Sequence, residues 1–278
     1  MLKTRILTAL VLLAVLLPVL YLNNLAAFGV VATLFFGAAV WESFRLFGQT
    51  SKSAMSIALV WSAAFAAAFF LIAPDSPKIF WFAIGVMLWA IRFAPTLKFG
   101  LPPMDGGGNM MLSMVYAISI VACFGAMVAL FKHSPLYLLS VMALVWIADI
   151  GAYFSGKAFG KRKLAPSISP GKSWEGAIGG GVAVLLLATL SIVFGQPALS
   201  DTFAVRVQAA LGWPATLALL VLVVAASVVG DLFESSLKRR AAVKDSSNLL
   251  PGHGGVLDRI DALVPVLPLA ALVHAMIA

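Results

Sequence analysis

The chain has 278 residues, 62% of them hydrophobic and 11% charged, where soluble domains carry about 45–50% and about 25%. That balance excludes a soluble globular enzyme, and long continuous apolar runs exclude a transmembrane barrel, whose strands alternate apolar and polar residues. The net charge of +8 does not mark a nucleic-acid binder, because the cations fall mostly in loops flanking apolar spans, where membrane topology accounts for them.

The expected fold is all-α, a polytopic integral membrane helix bundle, since lipid offers no partner for backbone N–H and C=O groups and each span must satisfy its own. Nine spans are expected: Arg5–Leu22, Leu25–Phe47, Met55–Ala73, Ile79–Ala94, Met110–Phe131, Pro135–Ser155, Gly176–Phe194, Pro214–Ser236 and Ala262–Ala278. Most are long enough to cross about 30 Å of hydrocarbon at about 1.5 Å per residue. The fourth and the last are short and flanked by proline. Lys3 and Arg5 before the first apolar run resemble a signal peptide. The run continues to Leu22 and the next span follows at once, so a retained first helix is expected.

With the N-terminus cytoplasmic, sixteen Lys and Arg residues fall on the cytoplasmic side and only Lys78, Lys132 and Arg206 on the other. This bias sets the orientation and supports the span count. The acids follow it too. Glu42, Asp105, Asp149, Glu175, Asp231, Glu234, Asp245, Asp258 and Asp261 share the cytoplasmic side, leaving Asp75 and Asp201 outside. Acids contribute little to orientation, so their clustering among cations points to a metal-dependent site for an anionic substrate. The single cysteine, Cys123, lies in an apolar run and excludes an intrachain disulfide or a Cys-based metal site.

The chain divides functionally near residue 135. Residues 1–134 read as scaffold helices, with Glu42 as a candidate to reach the site from that half. The Gly-rich loop from Thr96 to Asn109 suggests flexibility but no chemistry. Residues 135–278 carry the chemistry. Asp149, near the cytoplasmic end of the sixth span, is costly inside a membrane, and Tyr153 shares its face. The loop from Gly156 to Trp174 holds Lys157, Lys161, Arg162, Lys163 and Lys172. Gly171-Lys172-Ser173 is not a P-loop, because Pro166 stands where that motif needs glycine. Ser169, Lys172, Ser173 and the N–H groups opening the next helix remain candidates for phosphate oxygens.

Asp231, Glu234, Ser235 and Lys238 fall at i, i+3, i+4 and i+7 on one helical stripe, which lines a cavity rather than lipid. Beyond them Lys244, Asp245, His253, Asp258, Arg259 and Asp261 surround a Pro251-Gly252-His253-Gly254-Gly255 turn. Asp231, Asp258 and Asp261 are candidate oxygen ligands for Mg²⁺. His253 suits a substrate contact or a lid better than a metal ligand.

The segments Ser235-Ser236-Leu237-Lys238-Arg239, Lys244-Asp245 and Pro251 to Asp261 together resemble the signature of the phosphatidate cytidylyltransferases. The stretches Asp149–Gly160 and Ser169–Gly176 resemble that family as well. The resemblance implies an enzyme that joins phosphatidate to CTP, giving CDP-diacylglycerol and pyrophosphate for phospholipid synthesis. It also implies a dimeric bundle in the cell inner (plasma) membrane, in contact with membrane lipid, with a Mg²⁺-dependent site open to the cytoplasm. On this basis Asp231, Asp258, Asp261 and Lys244 are the expected catalytic residues, the three aspartates being the metal ligands. Asp149, Ser169, Lys172, Ser173, Glu234, Ser235, Lys238, Arg239, His253 and Arg259 are the expected substrate contacts. A polyprenol or phytol kinase would need a general base for a hydroxyl acceptor. A transporter would place acids at mid-membrane with inverted repeats, and a scaffold would leave the polar stripe unexplained.

Overall fold

A computed structural model describes residues 8, 10, 11, 14, 17–71 and 79–278. In chain order the elements are α1 (17–21), α2 (Leu25–Leu46), α3 (Ser51–Leu71), α4 (Ile79–Leu88), α5 (Ala94–Phe99), α6 (Gly107–His133), α7 (Pro135–Phe159), β1 (Lys163–Ala165), β2 (Ser169–Ser173), α8 (Trp174–Phe194), α9 (Phe203–Arg240), α10 (Leu257–Ile260) and α11 (Leu263–Ile277).

Seven helices among the described residues are long and apolar enough to cross a membrane, which bears out a polytopic helical membrane protein. They match the second to eighth expected spans. The first expected span, Arg5–Leu22, falls largely outside the described residues. The fourth is longer than expected: a π-helical turn at Trp89–Phe93 carries α4 into α5, giving a run of 21 residues from Ile79 to Phe99. Pro95 sits in the first turn of α5, where its missing N–H costs least. The last expected span is instead a 15-residue helix, α11, almost wholly buried from Leu263 to Ala271. It packs between α4, α6 and α9 and forms the centre of the bundle.

Local chemistry sets the helix ends. Asn24 Oδ1 accepts from Ala27 N at 2.9 Å to start α2, and Ser134 Oγ accepts from Tyr137 N to start α7. Helix α9 is broken on the side away from the site by Gly212, with φ of 75°, just before Pro214. Its other half runs unbroken to Arg240 and carries the polar stripe. One aromatic cluster packs this half against the earlier helices: Phe233 meets Phe93, Tyr116 and Trp89 at centroid distances of 4.8, 5.0 and 5.6 Å. The segment between α5 and α6, given no role by its sequence, is a brace. Asn109 Nδ2 donates to Phe47 O and Met104 O, and Arg240 donates to Pro102 O at 2.8 Å.

The structure adds one element that the all-α expectation lacks. The Gly/Pro-rich loop after α7 folds into an antiparallel β1–β2 hairpin, pairing Lys163 with Ser173 and Ala165 with Ser169. Glu175 secures its base, accepting from Lys161 N, Arg162 N and Arg162 Nε at 3.1 Å each. Helices α7 and α8 pack so closely that a Cβ on Gly180 would lie 2.4 Å from Ala148 O, and one on Gly176 2.8 Å from Ala152 O. This is the close approach that small residues four apart permit between membrane helices.

Candidate active site

The site is a seam where α7, β2, α9 and the segment leading into α11 converge. On α9 the 3.6-residue period aligns Asp231, Glu234, Ser235 and Lys238 as expected. Ser235 Oγ donates to Asp231 Oδ1 at 3.2 Å. Lys238 pairs with the fully buried Glu234 on its own helix and with Asp258 Oδ1 at 2.6 Å. From β2, Lys172 reaches across to pair with Asp231 Oδ2. The hairpin therefore serves to hold a lysine over the α9 stripe.

Beside this pair lies a cavity of about 500 Å³. Its lining combines the polar side chains of Asp149, Tyr153, Ser169, Lys172, Ser173 and Asp231 with the apolar ones of Ala148, Ala152, Val224 and Val228. Ser173 also has a structural duty: its Oγ accepts from Gly176 N at 3.1 Å and caps α8.

Asp258 lies at the far end of the seam. Its Oδ2 accepts from Ser246 N, Ser246 Oγ and Gly255 N at 2.8 Å each. Burial pushes its pKa up, but the bond from Lys238 and the Gly255 and Ser246 amides outweigh this and hold it below the usual carboxylate value. Asp261 behaves oppositely. Burial, reinforced by the charge of Asp231, pushes it up to about 7, against the attraction of Lys238. One oxygen of Asp261 accepts from Ala262 N at 2.7 Å.

The other expected residues lie further out. Arg239 is exposed, and its Nε donates to Ile168 O at 3.2 Å, tying α9 to the hairpin. Arg259 is exposed on α10. His253 is half-buried in its turn, its N–H donating to Leu250 O at 2.8 Å. Lys244 is not brought to the Lys172–Asp231 pair; it is exposed and lines a separate open hollow of about 960 Å³ with Trp41, Arg45 and Asn248. Nor do Asp231, Asp258 and Asp261 form a ready ligand cage. Among the described residues no group of three or more His, Cys, Asp or Glu side chains is set to hold a metal ion.

The donor chemistry nevertheless suits a hard cation. Asp149, Asp231, Glu234, Asp258 and Asp261 share one seam, and the ammonium groups paired with them are Lys172 and Lys238. Carboxylate oxygens outnumber the ammonium groups, and the buried Glu234 stands against both Lys238 and Asp261.

Ser246 and Ser247, absent from the expected set, are both buried against Glu42. Glu42 carried a signal in the sequence, as the sole acid of α2 and α3. The serines carried none, because Asp258 and Glu42 become their partners only through the fold.

Comparison with known proteins gives a consistent result. The model of the cytidylyltransferase family matches residues 3–277. A phosphatidate cytidylyltransferase of Pseudomonas aeruginosa is 43% identical over 293 residues, covering 99% of this chain and 98% of the relative. One from Haemophilus influenzae is 37% identical over 294 residues, covering 96% of each. A Bacillus subtilis phosphatidate cytidylyltransferase is 41% identical over 155 residues, 55% of this chain and 53% of its own length.

Proposed function

The chain belongs to the cytidylyltransferase family, and from that premise we infer that phosphatidate and CTP meet in the seam between Lys172 and Asp258. The reaction transfers CMP from CTP to phosphatidate, giving CDP-diacylglycerol and pyrophosphate for phospholipid synthesis. The observation that carries the placement is the cavity at Lys172 and Asp231, whose lining combines charged groups with apolar side chains of α7 and α9. One substrate is a lipid with a phosphate head and the other is a soluble polyanion, and such a cavity fits the first while the charged seam fits the second.

The attacking group is a phosphate-monoester oxygen, largely ionised at neutral pH, so the site needs no general base. Its task is to bring two polyanions into line and hold them. Lys172 takes the phosphatidate phosphate in the cavity. Lys238, fixed between Glu234 and Asp258, faces the reacting phosphates, where a positioned cation stabilises charge developing on the bridging oxygen. Asp149, Ser169 and Ser235 line the approach. Arg259, Arg239, Lys244 and His253 lie outward, on the side from which CTP arrives. Asp231, Asp258 and Asp261 would hold Mg²⁺, which when bound would neutralise charge on the triphosphate and on the departing pyrophosphate.

The same reading includes nine spans with a cytoplasmic N-terminus, scaffold helices over 1–134 and catalytic helices over 135–278. It also includes a homodimer within the inner (plasma) membrane, in contact with lipid, and a site facing the cytoplasm. The Lys and Arg bias supports the orientation. The test is purified protein in detergent with labelled CTP, phosphatidate and Mg²⁺. Labelled CDP-diacylglycerol is expected, and its absence with every divalent ion tried would overturn the assignment.

A further inference from the structure

Between Arg240 and Leu257 the chain has almost no regular backbone pairing. Among the described residues, one isolated bridge, Leu250 to Gly254, is its only β contact. Yet this segment must present Asp258 to Lys238. What holds it comes from the opposite end of the chain. Glu42, fully buried on α2, accepts from Ser247 Oγ and from Val256 N at 3.0 Å through Oε1. Its Oε2 accepts from Leu257 N at 2.6 Å and faces Ser246 Oγ at 3.2 Å. All four groups lie 204 or more residues away in sequence. The Ser246 hydroxyl has one proton and lies nearer to Asp258, at 2.8 Å, so Ser246 links the two carboxylates. Gly255 is the spacer between them, since a Cβ there would lie 2.0 Å from Ser246 Oγ and 2.4 Å from Glu42 Oε1.

We propose that Glu42 is a positioning residue for the reaction: it fixes the segment 246–257 so that Asp258 stands at Lys238, without touching either substrate. An apolar side chain would fill the same space without the cost of burying a charge. What it would not supply is acceptors for two backbone N–H groups and the Ser247 hydroxyl in a loop that lacks a ladder of its own. The proposal rests on the seam being the place of reaction.

The test uses the full-length protein in detergent, with the folded fraction of each variant measured alongside turnover. Glu42→Gln keeps the shape and has a single acceptor oxygen. Its kcat per folded molecule should fall at least about tenfold, as expected when a reacting group is displaced by a fraction of an ångström. Its KM for phosphatidate should stay within about twofold, because the groups that bind that phosphate are untouched. Hydrogen exchange over 246–257 should accelerate by at least about tenfold, with α7 and α8 unchanged.

Ser247→Ala leaves Glu42 in place and removes one donor; its kcat should fall about threefold, with faster exchange in the same segment. Activity lost only in proportion to folded fraction, or lost with wild-type exchange over 246–257, would overturn the proposal. If Glu42→Gln does not fold, wild-type kcat and exchange in Ser247→Ala overturn it equally. A wild-type protein without turnover would instead remove the reaction, and the exchange contrast would still decide whether Glu42 holds the segment.

Discussion

Asp258 receives four hydrogen bonds, one at Oδ1 from Lys238 and three at Oδ2 from Ser246 and Gly255. A side chain this committed cannot be neutralised without consequence. Asp258→Asn turns one acceptor into an N–H donor, facing either the Lys238 ammonium or the Ser246 and Gly255 amides. Turnover should fall about 10²–10³-fold, the scale seen when one preorganised electrostatic partner is lost, while the protein still elutes as a folded species. Near-wild-type kcat would mean that the role of Asp258 is misplaced. Lys172 should give a different signature. It pairs with Asp231 in the cavity lining, so Lys172→Gln should raise the KM for phosphatidate about tenfold or more, the cost of one lost charge-assisted hydrogen bond. The KM for CTP should move less; equal rises in both constants would count against separate positions for the two substrates.

At the scale of elements, the hairpin and the α7–α8 pair decide where Lys172 stands. Gly180→Val would drive a branched side chain into the α7 backbone, since even a Cβ lies 2.4 Å from Ala148 O. Overpacking of this kind costs about 1–3 kcal/mol, so the thermal midpoint in detergent should drop by several degrees. Gly181→Ala is the control, because a Cβ there meets only Val224 Cγ1 at 3.8 Å; an equal drop in both variants would argue against a specific α7–α8 contact. These elements differ in how far the sequence reveals them. The stripe from Asp231 to Lys238 is legible because helical periodicity places those residues on one face before any tertiary contact exists. The hairpin is not, because Lys163–Ser173 has no two-residue alternation and is ordered by Glu175 from the following helix. The buried place of α11 is equally hidden, since a 15-residue apolar run with two prolines fits a short span as well as a core helix. The Glu42 contacts depend on pairing residues more than 200 apart, which no local pattern encodes.

At the scale of the whole molecule, orientation decides whether the enzyme can work. CTP is a polyanion that does not cross lipid, so the seam must open to the compartment that holds CTP. The bias of Lys and Arg supports the proposed orientation, and the two loops at the ends of α8 offer a direct check. Helix α8 has 21 residues, about 31 Å at 1.5 Å per residue, enough to separate its ends by one membrane. Lys161 precedes it on the site side and Ser200 follows it on the other, and both are exposed. The sole cysteine, Cys123, is fully buried and gives a silent background for thiol labelling. With a membrane-impermeant maleimide, Ser200→Cys should label in right-side-out vesicles and Lys161→Cys only in inverted ones. The opposite pattern would place Lys172, Asp231 and Asp258 on the side without CTP, and the proposed topology would fail even if the detergent-solubilised enzyme were active. Labelling of both cysteines from one side would instead mean that α8 does not span, and the cavity wall built from α7, α8 and α9 would have to be placed at the membrane surface.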